Sequence, residues 1–430
     1  MKTINILKVE EKVYFEKLDN GLEVYMYPKN SIHNNYVTLT SHFGSINNEF
    51  IPYNKNKMVK IPNGVAHFLE HKLFAQEKGI EPPEFFSQSG TNYNAQTSHK
   101  YTSYEFEGPN NLEENICYLL DYVQSPYFTD ENVLVERGII GEEIKMYKDS
   151  PIDVLYEKIN QNIFINNPYK ESIGGELSDI EKIDKNLLYD CYYTFYHPSN
   201  MFMIITGNFN PEKIIGIIKQ NQSNKKFNEV RPIKVKKYEE PDKVAKSKDI
   251  INMNTEIQKM AYNIKIPISS FNIKGRELYY YLSLLFNYLF GDTSNLSSKL
   301  KENGTIVNNI HVELLNAGEH ILVSLVNETQ NYEVLIKEID KVLENITITL
   351  KDFERKKKVY LSNQMFIFNN IIAINDFILD SVIYEHKLEE KIFEIIDKLN
   401  YNDMLEVIKQ LNLRNKSIVI VEKKEDLGYN

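Results

Sequence analysis

Asn63-Gly64-Val65-Ala66-His67-Phe68-Leu69-Glu70-His71-Lys72-Leu73-Phe74 decides how this chain is read. A helix places residues three and four apart on one face, so His67, Glu70 and His71 project together. Two imidazoles at that spacing can share one zinc ion, which prefers nitrogen ligands in tetrahedral geometry. Glu70 then lies beside the open coordination position, where it could take a proton from bound water. This is the inverted order of the H-E-x-x-H zinc helix. Nine histidines in 430 residues produce the pattern by chance in about one chain in a hundred, so the flanks matter. Val65, Phe68, Leu69 and Leu73 supply apolar sides to bury. Asn63-Gly64 reads as the helix start, with Asn63 able to cap.

A catalytic zinc site needs a third protein ligand and a free position. The segment from about Asp130 to Lys148 reads as a long amphipathic helix through Val133, Leu134, Ile139, Ile140, Ile144 and Met146. Within it, Glu136 and Glu143 are two helical turns apart and share a face. Glu142 points roughly 100° away and reads as solvated or supporting. Glu143 is the expected ligand, with Glu136 one level back, supporting the site by hydrogen bond or charge.

With these motifs in place, the chain resembles the insulinase/pitrilysin family of inverted-motif zinc metallopeptidases, and within it the bacterial YmfH-like subgroup. The resemblance rests on residues 63–74, on Glu136 and Glu143 in a helix running on to Met146-Tyr-Lys-Asp-Ser-Pro151, on Thr91-Asn-Tyr-Asn-Ala-Gln-Thr97, and on Phe195-Tyr-His-Pro-Ser-Asn-Met201 before a strand. It implies His67, His71 and Glu143 as ligands of Zn2+, Glu70 as general base and Glu136 as the supporting carboxylate. It implies substrate binding along Asn94, Ala95, Gln96 and Thr97, an edge strand able to hold an extended peptide. It further implies an α+β fold of the kind shared by processing peptidases and LuxS-type metalloenzymes. Two similarly folded halves are expected, each an antiparallel sheet covered by helices.

Composition narrows the remaining classes. The chain is 42% hydrophobic and 26% charged, ordinary for a globular protein. A net charge of −10 without a basic stripe argues against nucleic acid. Cys117 and Cys191 are too few for a disulfide framework. No run of 18 apolar residues suggests a membrane span, and the N-terminal residues lack a signal-peptide pattern, so a cytoplasmic location is expected.

Along the chain, strands flank Asp19-Asn20-Gly21, a hairpin signal. Tyr36–Gly44 alternates, and Tyr93–Phe106 reads as one long strand. Helices are expected near 112–124, 130–148, 152–164, 185–195 and 211–221, with a strand at 201–206. Residues 223–250, rich in Lys, Asn, Pro and Glu, read as a linker between a zinc-bearing half, 1–222, and a homologous half without metal, 251–430. In the latter, strands are expected near 258–266, 307–314 and 320–327. Helices are expected at 276–290, 331–344 and 351–371, before a final helix and strand ending at Val421.

One departure from the family bears on partners. Self-sufficient members carry an Arg and a Tyr about seven apart near a Gly-containing helix end in the second half. Here Ser297 to Asn309 offers Lys301 and Val307 instead. Lysine lacks the planar fork of arginine, and valine has no hydroxyl. A heterodimer with a homologous non-metal subunit supplying the Arg and Tyr is therefore expected, enclosing a peptide substrate. The rival readings are a scaffold subunit, a hydrolase acting on something other than peptides, and a peptide-binding module that does not cut. The ligand set also suits manganese or cobalt.

Overall fold

Alternating and continuous apolar stretches build two mixed sheets. The computed structural model describes residues Met1 to Lys424. The first sheet holds β1 (Lys2–Ile6), β2 (Glu11–Lys17), β3 (Glu23–Pro28), β4 (Asn35–Ser41), β7 (Asn92–Thr97), β8 (Thr102–Gly108) and β9 (Met201–Gly207), in the order β1-β2-β3-β9-β4-β8-β7. A separate ribbon pairs β5 (Glu49–Phe50) with β6 (Val59–Lys60). Central strands β4 and β9 are buried along their whole length, as expected of strands covered on both faces. One face packs Val37, Leu39, Tyr104, Phe106, Met203 and Ile205 against Phe68, Leu69 and Leu73. The other is covered by the helix Ile371–Glu385, which comes from late in the sequence and packs on β9 and β4. It is tied down by polar groups: Thr38 Oγ1 donates to Asn375 Oδ1 at 2.9 Å, and Thr206 Oγ1 to the Ile371 carbonyl at 2.9 Å.

The second sheet contains β10 (Lys248–Met253), β11 (Gln258–Pro267), β12 (His311–Asn316), β13 (His320–Thr329) and β14 (Lys416–Lys423), in the order β10-β14-β11-β13-β12. Its connectivity repeats the run β3-β9-β4-β8-β7. In both, one parallel pair (β3–β9, β10–β14) is followed by antiparallel neighbours. Its covering helix, Pro151–Ile163, comes from early in the sequence and packs on β14, β11 and β10. The compact units therefore interleave along the chain. One comprises Met1–Ile144, Ser172–Lys237 and Gln364–Lys391; the other Lys145–Glu171, Tyr238–Asn363 and the chain from Ile392 onward.

Several expectations change. The sheets are mixed rather than wholly antiparallel, because each unit inserts a late strand beside an early one. Tyr93–Phe106 is two strands joined by a turn at Ser98–Tyr101, closed by Ser98 N–H donating to the Tyr101 carbonyl at 2.8 Å. The expected helix 351–371 is Leu350–Ile367, and the next helix begins at Ile371, capped by Asn370. β1, at the edge of its sheet, alternates only through Ile4 and Ile6, too short a pattern to be read in advance. The expected linker is irregular from Asn224 to Ser247 apart from a bridge between Val235 and Phe50. Its backbone is nonetheless committed: Lys236 N–H donates to the Glu49 carbonyl, and Ile51 N–H to that of Lys234. Residues 425–430 of the expected second half lie outside the described residues. Among the described residues, no single helix is long and apolar enough to cross a membrane.

Candidate active site

The motif helix is short, Val65–Lys72, and starts on Gly64 rather than on an Asn63 cap. Gly64 has φ +83°, and a Cβ there would lie 2.3 Å from the Gly174 carbonyl oxygen. Only glycine fits this left-handed, backbone-against-backbone position. The Gly174-Gly175 loop thus fixes where the helix begins. Val65, Phe68, Leu69 and Leu73 are buried, as the pattern requires.

The remaining face brings the predicted ligands together. The His67 and His71 ring centroids are 4.6 Å apart. Glu143 reaches in from the helix Asp130–Asp149, its Oε2 lying 3.7 Å from His67 Nε2 and 3.5 Å from His71 Nε2. One donor atom from each of the three residues lies within 4.8 Å of the other two. That spacing is slightly wider than a bound zinc would impose and narrow enough for a single ion to bridge. Glu143 Oε2 is buried and makes no hydrogen bond among the described residues. A buried carboxylate oxygen without a partner is costly, and a cation between the two imidazoles would satisfy it. The residues present therefore fit a zinc ion.

Around this trio sits a charged support. Glu136 Oε1 lies 3.1 Å from His71 Nδ1, and Glu136 Oε2 lies 3.2 Å from Lys72 Nζ. A carboxylate can only accept, so His71 Nδ1 carries the proton and Nε2 presents its lone pair towards Glu143. Burial opposes ionisation of Glu136, but the His71 hydrogen bond and the Lys72 charge outweigh it and hold its pKa low. Burial likewise opposes a charge on His71. The Glu136 hydrogen bond and the charges of Glu70, Glu136 and Glu143 outweigh that, so its pKa is raised. His67 is pushed down to about 4 by burial and by its neighbour His71, which favours the neutral, ligating form. Lys72, almost wholly buried, was not singled out from sequence; nothing in its spacing distinguishes it from a surface lysine. Glu142 is exposed.

Glu70 is buried beside the ligands, and burial raises its pKa. Its Oε2 accepts a hydrogen bond from Thr97 Oγ1 at 2.6 Å. Among the described residues β7 is the edge of its sheet, paired with β8 alone. Along it, Asn94 and Gln96 are exposed, while Ala95 and Thr97 turn to the half-buried side. A cavity of about 820 Å³ opens here, bounded by Glu70, His71, Phe74, Asn94, Ala95 and Ile139. Of the four residues expected to bind substrate, Asn94 and Ala95 line it, Gln96 does not, and the Thr97 side chain is engaged with Glu70.

Two comparisons place the chain in a family. Residues 59–176 match the insulinase family (peptidase family M16), and residues 182–360 match the peptidase M16 inactive domain. YmfH of Bacillus subtilis, described as an uncharacterized zinc protease, is 37% identical over 366 residues, covering 84% of this chain and 85% of its own. The chain belongs to the insulinase family of peptidases. Within it, the chain falls in the YmfH-like subgroup. A protein of Rickettsia bellii, likewise described as an uncharacterized zinc protease, is 28% identical over 213 residues, 48% of this chain and 49% of its own. Among solved structures, an M16-like peptidase from Alicyclobacillus acidocaldarius superposes with a TM-score of 0.89 at 24% identity, covering 97% of this chain and 100% of that one. A protease from Helicobacter pylori gives 0.82 at 20% identity, over 96% and 99%. These two establish the α+β fold. His67, Glu70, His71, Thr97, Glu136 and Glu143 all fall in the stretch that matches the insulinase family itself.

Proposed function

We propose that this chain is a zinc metalloendopeptidase that hydrolyses short extended peptides, with His67, His71 and Glu143 holding the metal. The observation that carries this reading is the convergence of those three donor atoms around an unsatisfied Glu143 oxygen, with Glu70 and an open sheet edge beside them. When bound, zinc would supply Lewis acidity and lower the pKa of water near it. Glu70 takes a proton from the attacking water and returns it to the leaving amine. Glu136 keeps the His71 ring in the ligating tautomer and orientation. β7 holds the substrate by main-chain hydrogen bonds on its free edge, as peptide-binding edges do. Backbone pairing carries little sequence information, so residue preference would come from the cavity beside Glu70. The net charge of −10 favours cationic peptides weakly.

The catalytic unit is further proposed to be a heterodimer. Lys301 lies in the last turn of the helix Asn295–Glu302, and Val307 is exposed on the segment that follows Gly304. Neither can grip a substrate as the Arg and Tyr of self-sufficient relatives would. A homologous subunit would supply that pair, and maturation of a peptide precursor is one role such an assembly would suit. The second reading, a peptide-binding or scaffold subunit that does not cut, is disfavoured by the complete ligand set.

The test is zinc content together with peptide cleavage, on the chain alone and mixed with a homologous subunit carrying the Arg/Tyr pair. Zinc near one per chain is expected, with cleavage confined to the mixture. Glu70→Gln should keep the zinc and lower turnover by about 10²–10⁴-fold. Full turnover by the chain alone removes the heterodimer. Peptide capture without cleavage favours the binding module, and absence of zinc removes the central claim.

A further inference from the structure

We propose that Thr97 is a positioning residue for this reaction: its hydroxyl anchors one oxygen of Glu70 and ties the base to the strand that would hold the substrate. This rests on the functional reading above and assigns Thr97 a task different from side-chain contact with substrate. Thr97 Oγ1 donates to Glu70 Oε2 at 2.6 Å, and this is the hydrogen bond made by the Glu70 carboxylate among the described residues. A base so placed has one oxygen held and the other left for a proton. A carboxylate without that anchor could swing about its side-chain torsions, and small misplacements cost rate steeply.

The anchor is itself firmly seated. Thr97 is the last residue of β7 and pairs with Thr102, whose hydroxyl donates to the Phe43 carbonyl at 2.8 Å. The turn that follows is docked on the loop after β4. Ser45 N–H donates to the Ser98 carbonyl at 3.1 Å, and Ile46 N–H to the His99 carbonyl at 3.1 Å. Gly44 makes this approach possible, because a Cβ there would lie 2.5 Å from both of those carbonyl oxygens. Being β-branched, Thr97 also has a restricted side-chain torsion. The strand's alternation sends its hydroxyl towards Glu70, so a peptide laid along β7 would meet Thr97 through its backbone alone. Substrate register and base position then share one frame, which is how functional groups gain precision from regular elements.

The experiment measures kcat, KM and zinc content for wild type, Thr97→Val, Thr97→Ala and Thr97→Ser, in whichever preparation cleaves a fluorogenic peptide. Thr97→Val keeps the shape and strand preference and loses the hydroxyl. It should lower kcat about 10–100-fold, with KM within about threefold and zinc unchanged. Thr97→Ala should behave alike, which guards against a misfit specific to valine. Thr97→Ser should recover most of the loss. A raised KM at unchanged kcat would mean that Thr97 serves only the substrate strand and would overturn the proposal. Serine no better than valine would mean a structural role and would overturn it too. A zinc-loaded wild type that cleaves no peptide, alone or mixed, overturns the functional reading and this inference with it.

Discussion

The two sheets share one five-strand connectivity, yet the helices that follow their equivalent strands β4 and β11 bury opposite chemistries. Val65–Lys72, which packs on β7 and β8, buries Glu70 and Lys72 among its apolar residues. Gly275–Phe290, which packs on β12, buries Leu278, Tyr281, Leu282, Leu285 and Phe286, and none of its buried residues is charged. The fold is thus satisfied by a helix without buried charge at this place. Burying a charge costs several kcal/mol unless it is paired, so this place in the fold does not by itself call for buried charge. The second unit buries a charged pair elsewhere, and there both partners are met. Lys265, fully buried, pairs with Glu240 and donates to the carbonyls of Ile163, Pro241 and Lys243, while Glu240 accepts from the backbone of Ile165, Asn166 and Asn167. Glu143 Oε2 has no such partner among the described residues. The Lys265–Glu240 pair is surrounded by partners, whereas one oxygen of Glu143 is left without one.

That contrast can be broken by substitution. The largest effect should come from Lys265→Ala, which strands the buried Glu240 charge and should cost about 3–5 kcal/mol of stability in urea unfolding. A loss below about 1 kcal/mol would remove the structural half of the comparison. The same pair has a pH signature. The backbone hydrogen bonds and Lys265 overcome burial and lower the Glu240 pKa from its ordinary value of 4.5. Its contribution is therefore complete above about pH 4.5 and is lost as pH falls through the lowered value. Acid unfolding of wild type against Glu240→Gln reads this directly.

Next in size are the two glycines at the helix starts. Gly64→Ala should cost about 2–4 kcal/mol, since it adds left-handed strain to a collision with the Gly174 backbone. Gly275→Ala has φ +63° but open space around it, so about 1 kcal/mol is expected. Equal losses would mean that the Gly174-Gly175 contact contributes nothing. Glu136→Gln should weaken zinc binding about 10–100-fold, measured by competition with a chelator, with little change in metal-free stability. The smallest effect is also the most pointed. Glu143→Gln should leave the metal-free protein as stable as wild type, or more stable by up to about 1 kcal/mol. It should abolish the rise in Tm on adding zinc, whereas a destabilised apo protein would show that Glu143 is structural after all.

Local chemistry was enough for much of this molecule. The spacing of His67, Glu70 and His71 and the two-turn separation of Glu136 and Glu143 are set by helix geometry, so their faces followed from sequence. The hairpin at Asp19-Asn20-Gly21 and the helix Lys185–Phe195 announce themselves by turn residues and periodicity. Where the expectation missed, the deciding interaction was distant. Ser98–Tyr101 contains neither glycine nor proline, so the alternation of Tyr93–Phe106 continued through a turn that is held by the loop at Gly44–Ile46. The apolar run around Ile367 hid a helix boundary that Asn370 does mark, since it caps Ile372 and Ala373. Which sheet the helices Pro151–Ile163 and Ile371–Glu385 cover, the burial of Lys72 and the bond from Thr97 to Glu70 could be decided only by the tertiary structure. Periodicity says which side of a helix is apolar; it carries no address for the surface that will receive it.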